Sequence, residues 1–454
     1  MKKTETDNKE TLNGNETVKY GALAFLPLLV FLALYVGCGL AFTIMGAEDP
    51  FNKMPRHVAL LAGVAVALLL APKLKIDEKL NVLTENMGNS GVMMIVLIYL
   101  MAGGFQGAAS AMGGRDSVIN LCLSYIPVQF LIPGIFLMCC LISTAIGTSM
   151  GTIAAMAPVA IGVAEGAGLN AAMVCAAVIG GSYFGDNLSM ISDTTISAAQ
   201  GCGSDMKDKF KMNFFIAFPA AIVTLVLYAV LGGGGSGEIE VGSFDIIQVL
   251  PYVIVLVIAL IGVNVALVLF IGILASGVIG IAQGTVTFFE WTEGIGTGMS
   301  DMFSISIVAI LISGIIGLIR HYGGVEWLVG KITAKIHTRR SAEYGIGLLS
   351  GVLSAAMINN TIAIIITCPI AREIGKKYTI APKRLASLVD IFACAFITLM
   401  PHDGGMLIVT EYAGVSPLSV LRYMFYTFAL LIATCITIQF GLLRTKEEKE
   451  ALNK

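Results

Sequence analysis

Gly185-Asp186-Asn187-Leu188-Ser189-Met190-Ile191-Ser192-Asp193-Thr194-Thr195 lies inside an apolar run at 171–199 that is otherwise long enough to cross a bilayer. Pro401-His402-Asp403-Gly404-Gly405 interrupts a second such run, at 383–414, about 210 residues later. A carboxylate at membrane depth is costly, so its presence there points to function. Breaks at matching positions of two halves point to the binding site of a transporter.

The remaining composition agrees with a membrane setting. The chain is 56% hydrophobic and 13% charged, with a mean hydropathy of +0.86. A soluble globular chain carries roughly 25% charged residues, so this one has too few to cover a soluble surface. Its 51 glycines suit close helix contact in lipid. The net charge of -2 gives no footing for a nucleic-acid partner. The nine cysteines sit mostly in apolar runs, without metal spacing or a disulfide framework. The fold class is therefore all-α, a polytopic membrane protein.

Apolar runs of crossing length, about 20 residues, fall near 20–44, 56–72, 91–112, 171–199, 213–231, 245–261, 264–285, 302–320, 383–414 and 420–443. Two more, 129–166 and 343–376, are too long for one helix and have small polar centres, at Gly147–Thr152 and Asn359–Thr361. Each reads as a hairpin entering and leaving on one side. Basic residues collect in alternate connections: Lys73, Lys75 and Lys79; Lys207, Lys209 and Lys211; Arg320 to Arg340; Arg372 to Arg384. The excess predicts that both termini are cytoplasmic. The stretches 232–245 and 290–301 carry no basic residue and read as extracytoplasmic.

The two halves match. Gly113-Gly114 recurs as Gly323-Gly324, Ala157-Pro158 as Cys368-Pro369, Thr148-Ser149 as Asn359-Asn360, and Asp193 falls on Asp403. The expected organisation is a cytosolic tail (1–19), a first repeat (20–231), an extracytoplasmic link (232–244), a second repeat (245–443) and a cytosolic tail (444–454). Each repeat has about five spans with a re-entrant hairpin and a broken helix. An odd number of crossings inverts the second repeat relative to the first.

A break in a helix frees carbonyl oxygens, which suit a cation. Asp186, Ser192 and Asp193 add side-chain oxygens of the kind hard cations prefer. Burial disfavours the charged form of an unpaired carboxylate. An Asp there can hold a proton or a sodium ion but not both, and that competition is sufficient for antiport. Asp193 and Asp403 also read as helix caps. Asn359, Asn360 and Thr361 at a buried tip need partners or a ligand, whereas Thr148 and Ser149 can bond back to their own helix. His402 and Asp390 are candidate proton-relay groups, with Asp390 alternatively paired to a surface base. Asn264 reads as a structural turn and Gly103-xxx-Gly107 as a helix-packing signal. No Lys or Arg is read deep in any span, which favours a cation as the sole substrate.

Gly180-Gly181-Ser182-Tyr183-Phe184-Gly185-Asp186 leading into Ser189–Thr195 resembles the NhaC family of sodium/proton antiporters. Gly147-Thr148-Ser149-Met150-Gly151-Thr152 with Pro158 is similar to that family's upstream motif, which often has Trp at the place of Met150. The resemblance covers nearly all of 20–443. It implies paired hairpins and paired broken helices around a midplane site, built from Thr148, Ser149, Asp186, Ser192, Asp193, Asn359, Asn360, Thr361 and Asp403. Asp186 and Asp193 are the expected sodium ligands. The implied function is sodium/proton antiport by alternating access in a bacterial cytoplasmic (inner) membrane. The alternative is a sodium-coupled exchanger of organic acids such as malate and lactate. The expected partners are membrane lipid, sodium and protons, with no cofactor and a homodimer left open. A paired-aspartate intramembrane hydrolase fits poorly, since Tyr183-Phe184-Gly185-Asp186 lacks the first glycine of a Gly-x-Gly-Asp pattern. A fixed channel fits broken inverted repeats less well than alternating access does.

Overall fold

Gly147 ends one helix in the left-handed conformation (φ 77°), and Thr148, extended, caps the next. Ile358 (φ 50°) and Asn359 do the same 211 residues later. These are the tips of the two expected hairpins, and they show the repeat at the level of single backbone angles. The computed structural model describes residues 20–45, 53–190, 192–232, 242–261, 263–445 and 448. The tail 1–19, most of the expected link and nearly all of the final tail lie outside the described residues.

All regular structure among the described residues is helical. The first half runs α1 (Leu26–Ile44), α2 (Arg56–Leu69), α3 (Ile76–Met87), α4 (Ser90–Ala111), α5 (Gly114–Tyr125), α6 (Leu131–Ile146), α7 (Ser149–Gly166), α8 (Ala171–Leu188), α9 (Asp193–Cys202) and α10 (Met206–Leu231). The second runs α11 (Ile246–Leu260), α12 (Val265–Gln283), α13 (Phe288–Asp301), α14 (Phe303–His321), α15 (Gly324–Thr333), α16 (Arg339–Met357), α17 (Asn360–Lys377), α18 (Pro382–Ile397), α19 (Gly404–Ala413), α20 (Pro417–Leu421) and α21 (Phe425–Gln439). Element for element the halves correspond, with α20 and α21 together matching α10. Left-handed Gly203 and Gly414 close α9 and α19. Pro158 and Pro369 lie inside α7 and α17. Ser143 Oγ donates to the Ser182 carbonyl, as Ser354 Oγ does to the Ala393 carbonyl at 2.8 Å, with donors and acceptors each 211 residues apart.

Packing follows the same pseudo-twofold plan. The α6–α7 hairpin wraps α8, and the α16–α17 hairpin wraps α18. Tip helix α7 packs on α19 of the other half, and α17 on α9. In α8 every residue is buried except Ala171 and Phe184, and in α18 every residue except Pro382, Lys383 and Phe396. These two helices, buried all round and carrying buried polar groups, form the centre.

Seven helical stretches among the described residues are long and apolar enough to span a membrane; two of them, Val128–Ala145 and Ser149–Gly166, are limbs of the first hairpin, so five correspond to the ten runs read from sequence. Helices α2, α11 and α21 are 14 or 15 residues long and fall short of the usual length. The stretch 290–301, read as an outside connection, is instead part of α13, which lies along α4. A Cβ at Gly103 or Gly107 would run into the carbonyl oxygens of Gly298 and Gly294, so backbones touch there. The Gly103-xxx-Gly107 signal is thus met by Gly294-xxx-Gly298.

Candidate functional site

Asp186 lies in the last turn of α8, buried at 3% exposure. Its Oδ2 accepts from Ser149 Oγ at 2.5 Å, and its Oδ1 from the Ser149 backbone N–H at 3.0 Å. Ser192 Oγ donates to Oδ1 at 3.4 Å. The carboxylate therefore faces the positive N-terminus of α7, with Ser192 at the head of α9 beside it. The carbonyls freed at the end of α8 are not vacant. Asp186 O accepts from Thr194 Oγ1 (3.2 Å) and Thr195 Oγ1 (3.0 Å). Asn187 O accepts from Lys209 Nζ and Asn213 Nδ2. The oxygens left for a ligand at this break belong to side chains, chiefly the Asp186 carboxylate with Ser149 and Ser192.

Asp403 is the N-cap of α19, its Oδ2 accepting from the N–H groups of Gly405 (3.0 Å) and Met406 (3.3 Å). Capping and a place in the cavity coexist, because Asp403 also lines a space of about 220 Å3. Both tips reach that space, through Ser149 and Met150 from one hairpin and Asn359 and Asn360 from the other. Tyr99, Tyr183, His402 and Arg320 line it too. Tyr183 OH donates to both Asp403 oxygens at 3.4 and 3.5 Å, the long end of the range. Tyr183 stands one turn before Asp186 on α8, so it sits between the two carboxylates. Neither ring nitrogen of His402 nor Tyr99 OH has a hydrogen-bond partner among the described residues, although all three atoms are buried. The His402 ring meets Phe31 edge-on, with centroids 5.9 Å apart.

Asp390 is not a surface group. It is fully buried, and its Oδ2 pairs with Lys209 Nζ at 2.7 Å and accepts from Asn213 Nδ2 at 2.8 Å. Lys209 is itself at 0% exposure. Two basic residues are buried inside the protein, in the first turns of α10 and α18. Lys209 is paired at the centre, and Arg384 is buried against Glu343 at 2.9 Å. Burial of Lys209 follows from helix periodicity: on α10, Lys209, Asn213, Ile216, Ala220 and Thr224 share the inward face, while Lys207 and Lys211 are exposed.

The structure thus places Ser149, Asn359, Asn360, His402 and Asp403 on one cavity; Asp186 and Ser192 do not line it and are joined to it through Ser149. Asp193 is not among them. It is exposed at the first position of α9. The residue matching Asp403 is the α9 cap, Ser192, 211 residues earlier, so the sequence register that set Asp193 on Asp403 was one residue out. Thr148 caps α7 weakly, its Oγ1 accepting from Gly151 N–H at 3.5 Å. Asn359 caps α17 through Ile362 N–H (2.8 Å), and Asn360 Oδ1 accepts from Thr361 N–H (2.9 Å). Thr361 is half-buried and does not line the cavity. Asn264, as read, is a turn group, capping α12 through Ala266 N–H. Tyr183 and Tyr99 were missed. The signal for Tyr183 was its i,i+3 spacing from Asp186.

Two hairpin tips that meet at a cavity lined by Asp403, with two helix breaks related by an internal repeat in a multi-pass helical protein, define a secondary active transporter. The profile of the Na+/H+ antiporter family matches residues 2–233 and 239–444, and the chain belongs to that family, as a sodium/proton antiporter. A malate-2H(+)/Na(+)-lactate antiporter of Bacillus subtilis is 24% identical, over 91% of this chain and 93% of its own. The Na(+)/H(+) antiporter NhaC of the same organism is 27% identical, over 78% and 85%. The arginine/ornithine antiporter ArcD of Halobacterium salinarum is 24% identical, over 75% and 76%. The crystal structure of the Alcanivorax borkumensis YdaH transporter covers 92% of this chain and 99% of its own at 12% identity, with a TM-score of 0.43.

Proposed function

We propose that Asp186 is the group at which sodium and a proton compete. The observation that carries this is the three-donor setting of its carboxylate at the end of α8, built from the α7 tip and the α9 cap. Ser149 and Ser192 offer oxygens to a sodium ion when their protons turn away from Asp186. Asp403 is the second carboxylate, facing the cavity, with Tyr183 between the two and His402 as the relay candidate. The tips carrying Ser149, Asn359 and Asn360 close the site. Asp193, exposed, is assigned no direct ligand role.

In this reading the repeats 20–231 and 245–443 rock about the α8–α18 centre, exposing the site to one side and then the other. The basic-residue asymmetry supports cytoplasmic termini in a bacterial inner membrane. The test is purified protein in liposomes with an imposed pH gradient read by a dye. Sodium should dissipate the gradient, and potassium far less. Equal responses to both ions would reject the assignment.

A second reading has one specific support. The cavity is larger than a bare ion needs, and it is lined by His402, whose nitrogens are unpartnered, and by Arg320. An organic acid exchanged with sodium would use both groups. A response to sodium only when malate or lactate is also present would favour this reading.

A further inference from the structure

Lys209 is buried where the reading above assigns no transported ion. Its three N–H groups are all taken: by Asp390 Oδ2 at 2.7 Å, Thr195 Oγ1 at 2.6 Å and the Asn187 carbonyl at 3.1 Å. A carboxylate, a hydroxyl and a backbone carbonyl at a helix break form the ligand chemistry of a hard monovalent cation. Two asparagines that share these acceptors or supply one lie beside Lys209. Asn187 Oδ1 and Asn213 Oδ1 are buried without a donor among the described residues, although Asn213 Nδ2 reaches both Asn187 O (2.9 Å) and Asp390 Oδ2 (2.8 Å). The pair also joins three elements, since Lys209 is on α10, Thr195 on α9 and Asp390 on α18.

We propose that Lys209 is a tethered cation filling a second monovalent-cation site, whose ligands are the Asp390 carboxylate, the Asn187 carbonyl and the Thr195 hydroxyl. The Lys209 side chain occupies the Asp390 carboxylate, so this site takes no part in the exchange assigned to Asp186. It also braces that exchange. Thr195 Oγ1, which accepts from Lys209, donates to the Asp186 carbonyl, so the fixed charge holds the α8–α9 break in shape. The role of Lys209 is positioning and specificity: it sets how many ions the protein holds. This step rests on the Asp186 reading only for the word "second"; the vacated site itself is independent of it.

Lys209→Met removes the charge and keeps an unbranched apolar chain. Three proteins are compared in detergent: wild type, Lys209→Met, and Lys209→Met with Asp390→Asn. Bound radioactive sodium is counted at equilibrium, and thermal midpoints are read in sodium and in choline. The proposal expects Lys209→Met to bind one more sodium per chain than wild type. It also expects sodium to raise the midpoint of Lys209→Met more than that of wild type. Both differences should vanish in the double variant, which has no charge to compensate. A Lys209→Met protein that folds and binds the wild-type number of ions overturns the proposal. So does one that cannot be recovered folded in sodium, because an ion in the vacated site should replace the ammonium. Because the readout is a difference, it is separable from the Asp186 assignment. A wild type that binds no sodium would sink that assignment, while a single ion bound by Lys209→Met would still support this one.

Discussion

Ser149→Ala isolates one contact of the site. It deletes the hydroxyl that donates to Asp186 Oδ2 at 2.5 Å and leaves the Ser149 backbone N–H on Oδ1 at 3.0 Å. The helix tip and its cap Thr148 are untouched, and alanine is a better helix former than serine. A hydrogen bond to a charged group contributes about 1.5–3 kcal/mol. With one strong donor retained and Ser192 at 3.4 Å, the lower end applies, about 1.5 kcal/mol, or roughly tenfold in an equilibrium constant. The sign is fixed by which form the hydroxyl helps. It stabilises the ionised carboxylate, whether as a donor or as a ligand of bound sodium, and sodium binds only that form. The expected result is a half-saturating sodium concentration raised about tenfold, with the maximal rate largely kept. The assay is dye-reported exchange in liposomes over a sodium series at fixed pH. Asn264→Ala is the control. It removes the cap of α12, worth about 0.5–2 kcal/mol of helix stability, at a position outside the site. Wild-type sodium affinity in Ser149→Ala, or an equal loss in Asn264→Ala, would refute the reasoning.

Asn360→Ala removes an amide that lines the cavity and braces the second tip; a loss of about 1–2 kcal/mol should weaken apparent sodium affinity roughly tenfold in the same assay, and no change would take the second hairpin out of the site. Gly107→Ala forces a Cβ onto the Gly294 carbonyl, so the thermal midpoint should fall by an amount equivalent to overpacking, about 1–3 kcal/mol, whereas Gly134→Ala, where a Cβ meets nothing within 4 Å, should not lower it. Ser236→Cys should react with an impermeant thiol reagent added outside intact cells; labelling only after permeabilisation would reverse the orientation.

What the sequence made legible was whatever departs from an apolar background. The Gly185–Thr195 break, the Pro401–Gly405 break and both hairpin tips are polar islands in lipid-like runs, and the repeat register follows from them. What it hid was amphipathic or short. Helices α3, α5, α13 and α15 have 10 to 14 residues, too few to register as spans, so α13 passed for a loop although its glycines meet those of α4. Lys209 was hidden by its neighbours. Three alternating lysines look like a solvated run, yet helical geometry puts Lys207 and Lys211 on one side and Lys209 on the other. Asn213, at i+4 from Lys209 and at the start of the apolar part of α10, was the readable sign. The misplaced Asp193 came from setting two acids in register. The offset of 211 already fixed by the tips would have chosen Ser192.

The central claim is that Asp186 carries the competition between sodium and proton, and Asp186→Asn tests it most directly. Asn keeps the volume and one acceptor oxygen, turns the other acceptor into a donor and cannot ionise. In liposomes with an imposed pH gradient, wild type should release the gradient on addition of sodium. Asp186→Asn, shown to be folded by its chromatographic profile and thermal midpoint, should not, at any sodium concentration. Exchange by the variant at the wild-type rate and sodium affinity would contradict the account.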